Sequence, residues 1–218
     1  MLLIKPSFEI LAINIDPLQQ FIADDKLTTG RAQAFTDAIL NRGHESVIDH
    51  ATAKVRFICD RGVAHDILRY RFPSYSKEST MDCYYKNGHI TYIIPPWTTY
   101  TEGEYTNNFH ITTGRYAETM WAKNCLEIEQ LYKNLLDAGW QPEQARSVLP
   151  NSLKTEIAMW ANLREWRHFF RLRTSAAAHP QMREVATPLL EAMRNQIPVI
   201  FDDLVFSKRN AVYGPYRV

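Results

Sequence analysis

The sequence predicts an α/β (α+β) domain rich in helix, and three observations point to it. Polar and apolar residues alternate strictly from Thr52 to Cys59, the period of a half-buried strand. An apolar stripe from Met120 to Leu136 has the period of a long helix. The other segments switch between these two kinds without repeats or low-complexity tracts. At 218 residues and 25.3 kDa the chain can bury a substantial core, and 1–218 is read as a single domain.

The elements follow in order. Residues 7 to 15 are rich in strand formers, and Arg31 to Leu40 predicts a short helix stopped by Asn41-Arg42-Gly43. In the next strand Thr52, Lys54 and Arg56 alternate with Ala53, Val55, Phe57 and Cys59, so one face is buried; His50, just before it, is expected in the core. After Asp60-Arg61-Gly62 a helix is expected from Val63 to near Arg71, because Pro73 biases Phe72 away from helical geometry. Residues 89 to 95 form another β run, closed by Pro95-Pro96. Met120, Cys125, Ile128, Leu131, Tyr132, Leu135 and Leu136 mark the core face of a long helix ending at Gly139. Leu153 to Leu172 predicts a further helix, and Glu184 to Arg194 another that accepts Pro188 early in its course.

Composition excludes several classes. Hydrophobic residues make up 45% and the net charge is +1, which fits a folded protein and neither a disordered nor a polyanion-coating one. Any basic site must be local. No apolar run approaches a membrane span, and Met1-Leu2-Leu3-Ile4-Lys5-Pro6 lacks a charged leader before a long apolar region, so a cytoplasmic location is expected. Cys59, Cys83 and Cys125 lack CxxC spacing and are expected to be reduced thiols. No metal is expected: a zincin helix needs its second histidine four residues after His44, where Ile48 stands.

Two segments carry the chemistry. In Arg69-Tyr70-Arg71, followed after a gap of seven residues by Ser79, arginine forks suit phosphate and the serine comes where a helix should have broken. On the helix expected from Leu153 to Leu172, continued to Arg173, Asn162, Trp166, Phe169 and Arg173 share one face, and Arg164, His168 and Arg171 the adjacent one. Such cations are costly to bury unless they meet anions, although arginines can also snorkel on a surface helix. Arginine with aromatics suits a ligand having phosphates and flat rings, such as a dinucleotide. A non-enzymatic module for single-stranded nucleic acid is the alternative from another class; balanced charge and the lack of an extended basic stripe count against it.

Five motifs in order resemble the flavin-dependent thymidylate synthases (ThyX). They are His44 to His50, Arg69-Tyr70-Arg71 with Ser79, Ala145 to Pro150, Asn162 to Thr174, and Ala178 to Arg183, spread over most of the chain. The family signature has histidine between the two arginines, where this chain has Tyr70. The resemblance implies a mixed sheet with long helices and a homotetramer whose active sites are shared between subunits, with FAD across the interface. It implies transfer of a one-carbon unit from 5,10-methylenetetrahydrofolate to C5 of a pyrimidine nucleotide, dUMP to dTMP, with NADPH as reductant. It also implies chemistry without a cysteine nucleophile, so Cys83 is read as structural.

Carried over by position, the resemblance assigns flavin contacts to Ser46, Asp49, Arg69, Tyr70, Arg71, Asn162, Arg164, His168 and Leu172. It assigns nucleotide contacts to Asp66, Lys77, Glu78, Ser79, Thr80, Met81, Arg146 and Arg173. Arg173 and Ser79 are expected to take part in catalysis, with His44 lining the flavin's outer face near the folate. Asp49 stands where glutamate is usual, Asp66 where glutamine is usual, and Met81-Asp82 where arginine and tyrosine are usual. Loss of a guanidinium and gain of a carboxylate both act against an anionic uracil nucleotide. The expectation is therefore extended to dCMP or UMP as substrate, or to hydroxymethylation, unless Lys77 supplies the missing charge.

Overall fold

The structure, a computed structural model, describes residues 1–15, 45–78, 88–106, 115–197 and 200–204, so the helix expected at Arg31–Leu40 lies outside the described residues. Two compact units divide the chain: Met1–Ser7, Ile58–Arg69 and Lys77–Ile157 in the first, and Phe8–Phe57, Tyr70–Ser76 and Ala158–Val218 in the second.

In the first unit β1 (Leu2–Ile4) pairs in parallel with β5 (Thr91–Ile93) and antiparallel with β6 (Gly103–Glu104), a mixed sheet of order β5-β1-β6. Leu3 and Tyr92 are register partners, and both are fully buried with Ile90, Cys125, Tyr132 and Leu153. Helix α1 (Arg61–Ile67) starts at the Asp60 cap, whose Oδ1 accepts from the Val63 N–H at 2.9 Å. It ends at Ile67, earlier than the proline rule predicts; in the second unit Tyr70 is buried, its ring 5.4 Å from that of Phe169.

Helix α2 (Tyr116–Asp137) is the long helix the apolar stripe predicts, but its buried face is Glu118, Ala122, Cys125, Glu129, Tyr132 and Leu136. Met120 and Leu131 are exposed, against expectation. The stripe is rotated because two carboxylates go inside with partners: Glu118 accepts from Thr99 N and Oγ1, and Glu129 from Ile90 N and Lys133. Gly139, at φ +96°, ends the helix as expected, since few side chains tolerate that backbone. A short α3 (Pro142–Ala145) and a single 3-10 turn at Arg146–Val148 follow.

A four-stranded sheet has the order β2-β3-β7-β4, from β2 (Ser7–Asn14), β3 (Thr52–Asp60), β4 (Ser74–Lys77) and β7 (Lys154–Asn162). In β3 the alternation holds, with Ala53, Val55, Phe57 and Cys59 buried. His50 is exposed and not a core residue, because the chain turns into β3 only at Thr52. The helix expected from Leu153 is a correction: the chain runs as β7 to Asn162, and helix α4 is confined to Leu163–Arg173. Thr155, Ile157, Met159 and Ala161 are buried in alternation, a period of two hidden among residues of good helix propensity. Leu163, Trp166, Arg167, Phe169 and Phe170 form the buried face of α4. Burial of each large apolar side chain there is worth about 1.5–3 kcal/mol. Helix α5 (Pro180–Gln196) exceeds the expected Glu184–Arg194 at both ends and holds Pro188 at mid-length on an exposed position.

Candidate functional site

The N-terminus of α4 organises one cluster in the second unit. Asn162 is the cap residue, its Oδ1 accepting from the Glu165 N–H at 2.8 Å. Its Nδ2 donates to Asp49 Oδ1 at 3.2 Å, and Arg164 Nη1 meets Asp49 Oδ2 at 3.3 Å. Asp49 closes the one-turn 3-10 segment Glu45–Asp49, which also presents exposed Ser46. Two motifs read from the sequence as flavin contacts, His44–His50 and Asn162–Thr174, are thereby joined through one carboxylate.

Along α4, Arg164, His168 and Leu172 are exposed at i, i+4 and i+8, opposite the buried aromatics. Tyr70 packs beside this stripe. It is 8% exposed, with its ring edge-on to His168 at 5.7 Å and the Arg173 Cζ 5.2 Å from its centroid. The Tyr75 hydroxyl donates to the Tyr70 carbonyl at 3.0 Å. Burial, with Glu165 adding, pushes the Tyr75 phenol up to about 12, so it keeps the proton it donates. Arg71 and Phe72 point to solvent, Phe72 almost fully.

The first unit holds other expected nucleotide positions. Asp66 lies 3.8 Å from Arg69, a loose pair in which the arginine is mostly exposed. Lys154 joins Glu78 at 3.2 Å and Glu156 at 2.6 Å, while the Glu78 N–H donates to the Glu156 carbonyl. Burial opposes the Lys154 charge, but the bonds to Glu156 and Glu78 outweigh it and raise the ammonium above its usual range. Lys77 is exposed, and Arg146 Nε donates to the Glu143 carbonyl at 3.2 Å. His44, Ser79, Thr80, Met81 and Asp82 lie outside the described residues.

Sequence reasoning missed two residues that support these clusters. Lys154 was hidden inside the supposed helix, and the alternation after it is the signal that could have found it. Arg167 is assigned to neither face of the helix in the sequence reading; it is 1% exposed and grips Asp203 through both carboxylate oxygens at 2.6 Å while also donating to the Ile200 carbonyl. Of the cysteines, burial pushes Cys125 up to about 11 and Cys59 higher still, so neither thiolate is available near neutral pH.

The family model described as thymidylate synthase complementing protein matches residues 11–199. The chain belongs to the flavin-dependent thymidylate synthase family. FAD is the cofactor of this family of enzymes, with NADPH and methylenetetrahydrofolate as its usual co-substrates. Among its relatives, the flavin-dependent thymidylate synthase of Pyrococcus furiosus is 31% identical over 172 residues, 78% of this chain and 65% of that protein. The Geobacter sulfurreducens enzyme is 30% identical over 194 residues, 88% of this chain and 75% of its own length. The chain thus spans roughly two thirds to three quarters of these curated relatives. In fold it is similar to the UMP/dUMP methylase PolB of Streptomyces cacaoi bound with 5-Br UMP, at TM-score 0.70 and 18% identity over 92% of this chain and 94% of that one. The α+β character read from the sequence is the one observed. Among the described residues no helix is long and apolar enough to cross a membrane.

Proposed function

We propose that this chain transfers a one-carbon unit from 5,10-methylenetetrahydrofolate to C5 of a pyrimidine nucleotide, dUMP to dTMP in the simplest case, with NADPH as reductant. The single observation that carries the proposal is the cluster at the start of α4. A carboxylate, an amide and a guanidinium are bonded together beside an exposed Arg164–His168–Leu172 stripe.

This donor set fits FAD. Arg164 and Arg71 suit its pyrophosphate, Ser46 its ribose, and Asn162 and His168 its ring system, with Leu172 as an apolar contact. Tyr70 and Arg69 complete the expected flavin positions. Asp49 orients both Asn162 and Arg164, so the amide and the cation are held before any ligand arrives. When bound, reduced FAD supplies the electrons that convert the transferred methylene into a methyl group. Protonated, buried thiols at Cys59 and Cys125 agree with chemistry that uses no cysteine nucleophile.

For the nucleotide, the resemblance nominates Arg173, Arg146 and Lys77 as the cations, Ser79 for the phosphate, and Asp66, Glu78, Thr80 and Met81 as further contacts. Arg173 and Ser79 are proposed in catalysis, His44 at the folate side. Assembly as a homotetramer with shared sites is part of this reading.

Asp66 favours a second reading, in which the pocket takes dCMP or UMP or yields a hydroxymethyl product: its carboxylate can accept from an exocyclic amine, which cytosine has and uracil lacks. The test incubates the FAD-loaded chain with NADPH, methylenetetrahydrofolate and each of dUMP, UMP and dCMP, and follows products by mass spectrometry. A methylated nucleotide is expected. Absence of product from all three, with FAD bound, would refute the function. Turnover of dUMP alone would remove the second reading, whereas improved dUMP binding by Met81→Arg would support it.

A further inference from the structure

We propose that Tyr70 is a positioning residue for Arg173: its buried ring is the platform that holds the guanidinium for a nucleotide anion. The proposal rests on reading Arg173 as a nucleotide contact. Three observations carry it. Tyr70 is 8% exposed, so its ring meets protein neighbours over nearly all of its surface and its flavin contact is confined to the small remainder. The Arg173 Cζ lies 5.2 Å from the ring centroid, within the range in which an arginine is attracted to an aromatic face. The platform itself is held from two sides, by Phe169 at 5.4 Å against the ring and by the Tyr75 hydroxyl on the Tyr70 carbonyl.

Phe169 is part of a packed aromatic cluster with Phe57, Trp166 and Phe170, at centroid separations of 6.1, 5.5 and 5.5 Å. Rigidity therefore passes from the core of the second unit to Tyr70 and from Tyr70 to Arg173, which sits in the last turn of α4. An arginine side chain loses much rotamer freedom when it grips an anion. Fixing the guanidinium in advance removes part of that loss, so the ring acts on affinity without touching the ligand. Tyrosine suits this place because its ring carries no charge at neutral pH, whereas a histidine ring titrates there and would set a second cation beside Arg173 whenever protonated.

The experiment uses the full FAD-loaded chain with dUMP as probe. Tyr70→Leu is expected to weaken dUMP binding, measured by calorimetry, by about 3- to 20-fold, the range of one cation–π contact. Tyr70→Phe keeps the ring and is expected to recover most of the affinity. In an Arg173→Ala background Tyr70→Leu should add less than about twofold, since residues acting as one unit are not additive. An undiminished effect in that background, or a phenylalanine variant as weak as the leucine one, would overturn the proposal. In the wild type, nuclear Overhauser contacts are expected between the Tyr70 ring and the Arg173 side chain, and their absence overturns the platform even if the leucine variant fails to fold. A wild type that binds neither dUMP, UMP nor dCMP would refute the reading of the site instead, and the Overhauser contacts would still decide the platform.

Discussion

Replacing Asp203 by asparagine should destabilise the unit that carries α4. Arg167 sits on the buried face of that helix, 1% exposed, and both of its terminal nitrogens donate to Asp203 at 2.6 Å. Asparagine keeps one acceptor oxygen but removes the charge and one of the two bonds, leaving a buried guanidinium with the Ile200 carbonyl and a neutral amide. Losing a charge-assisted bond costs about 1.5–3 kcal/mol, and stripping a fully buried ion of its partner about 3–5 kcal/mol. The Asp203 side chain is 51% exposed, so solvent screens the pair and the lower end applies. A loss of about 2 kcal/mol is expected, or a fall in Tm of about 4–8 °C for a chain of this size.

Scanning calorimetry on FAD-loaded protein measures the loss, and its pH dependence tests the cause. Burial pushes the Asp203 carboxyl up, but the Arg167 bonds outweigh it and hold the group below the usual aspartate range. A carboxylate lowered in the folded state contributes fully above its unfolded value, about 3.9, and loses that contribution as the pH falls through the lowered one. The gap between wild type and Asp203→Asn should therefore be constant near neutrality and close below about pH 4. A change in Tm under about 1 °C at pH 7, or a gap that persists unchanged at pH 3, would refute the reasoning.

Two further outcomes are expected. Asn162→Ala removes the α4 cap, and thermal unfolding should show a loss of about 1 kcal/mol, or about 2–4 °C. Arg164→Ala should weaken FAD binding, measured by quenching of flavin fluorescence, by about 10- to 100-fold, the equivalent of one charge-assisted bond; unchanged affinity would remove Arg164 from the flavin contacts.

Elements whose pattern is local were legible. The β3 alternation and the Gly139 stop follow from side-chain period and backbone sterics, which act within a few residues. The stretch from Leu153 to Asn162 misled because Ala, Met, Glu and Leu favour helix, while burial on alternate positions of a sheet overrides propensity. The α2 stripe was displaced for a related reason: Glu118 and Glu129 are buried through bonds to Thr99, Ile90 and Lys133, partners that no helical period reveals. At the candidate site the residue types were legible as motifs, but the joining of Asp49 to Asn162 and Arg164, more than a hundred positions away, was not.

The sequence by itself determined family membership and the kinds of groups the site offers, because ordered motifs and side-chain chemistry survive without coordinates. Only the tertiary structure decided which of those groups meet. Tyr70 turns inward beneath Arg173, Asp49 binds the α4 cap, and Arg167 leaves its neighbouring arginines for Asp203. The physical reason is common to all three: a charged or aromatic side chain takes the partner that packing brings within a few ångströms, and that distance depends on the whole core.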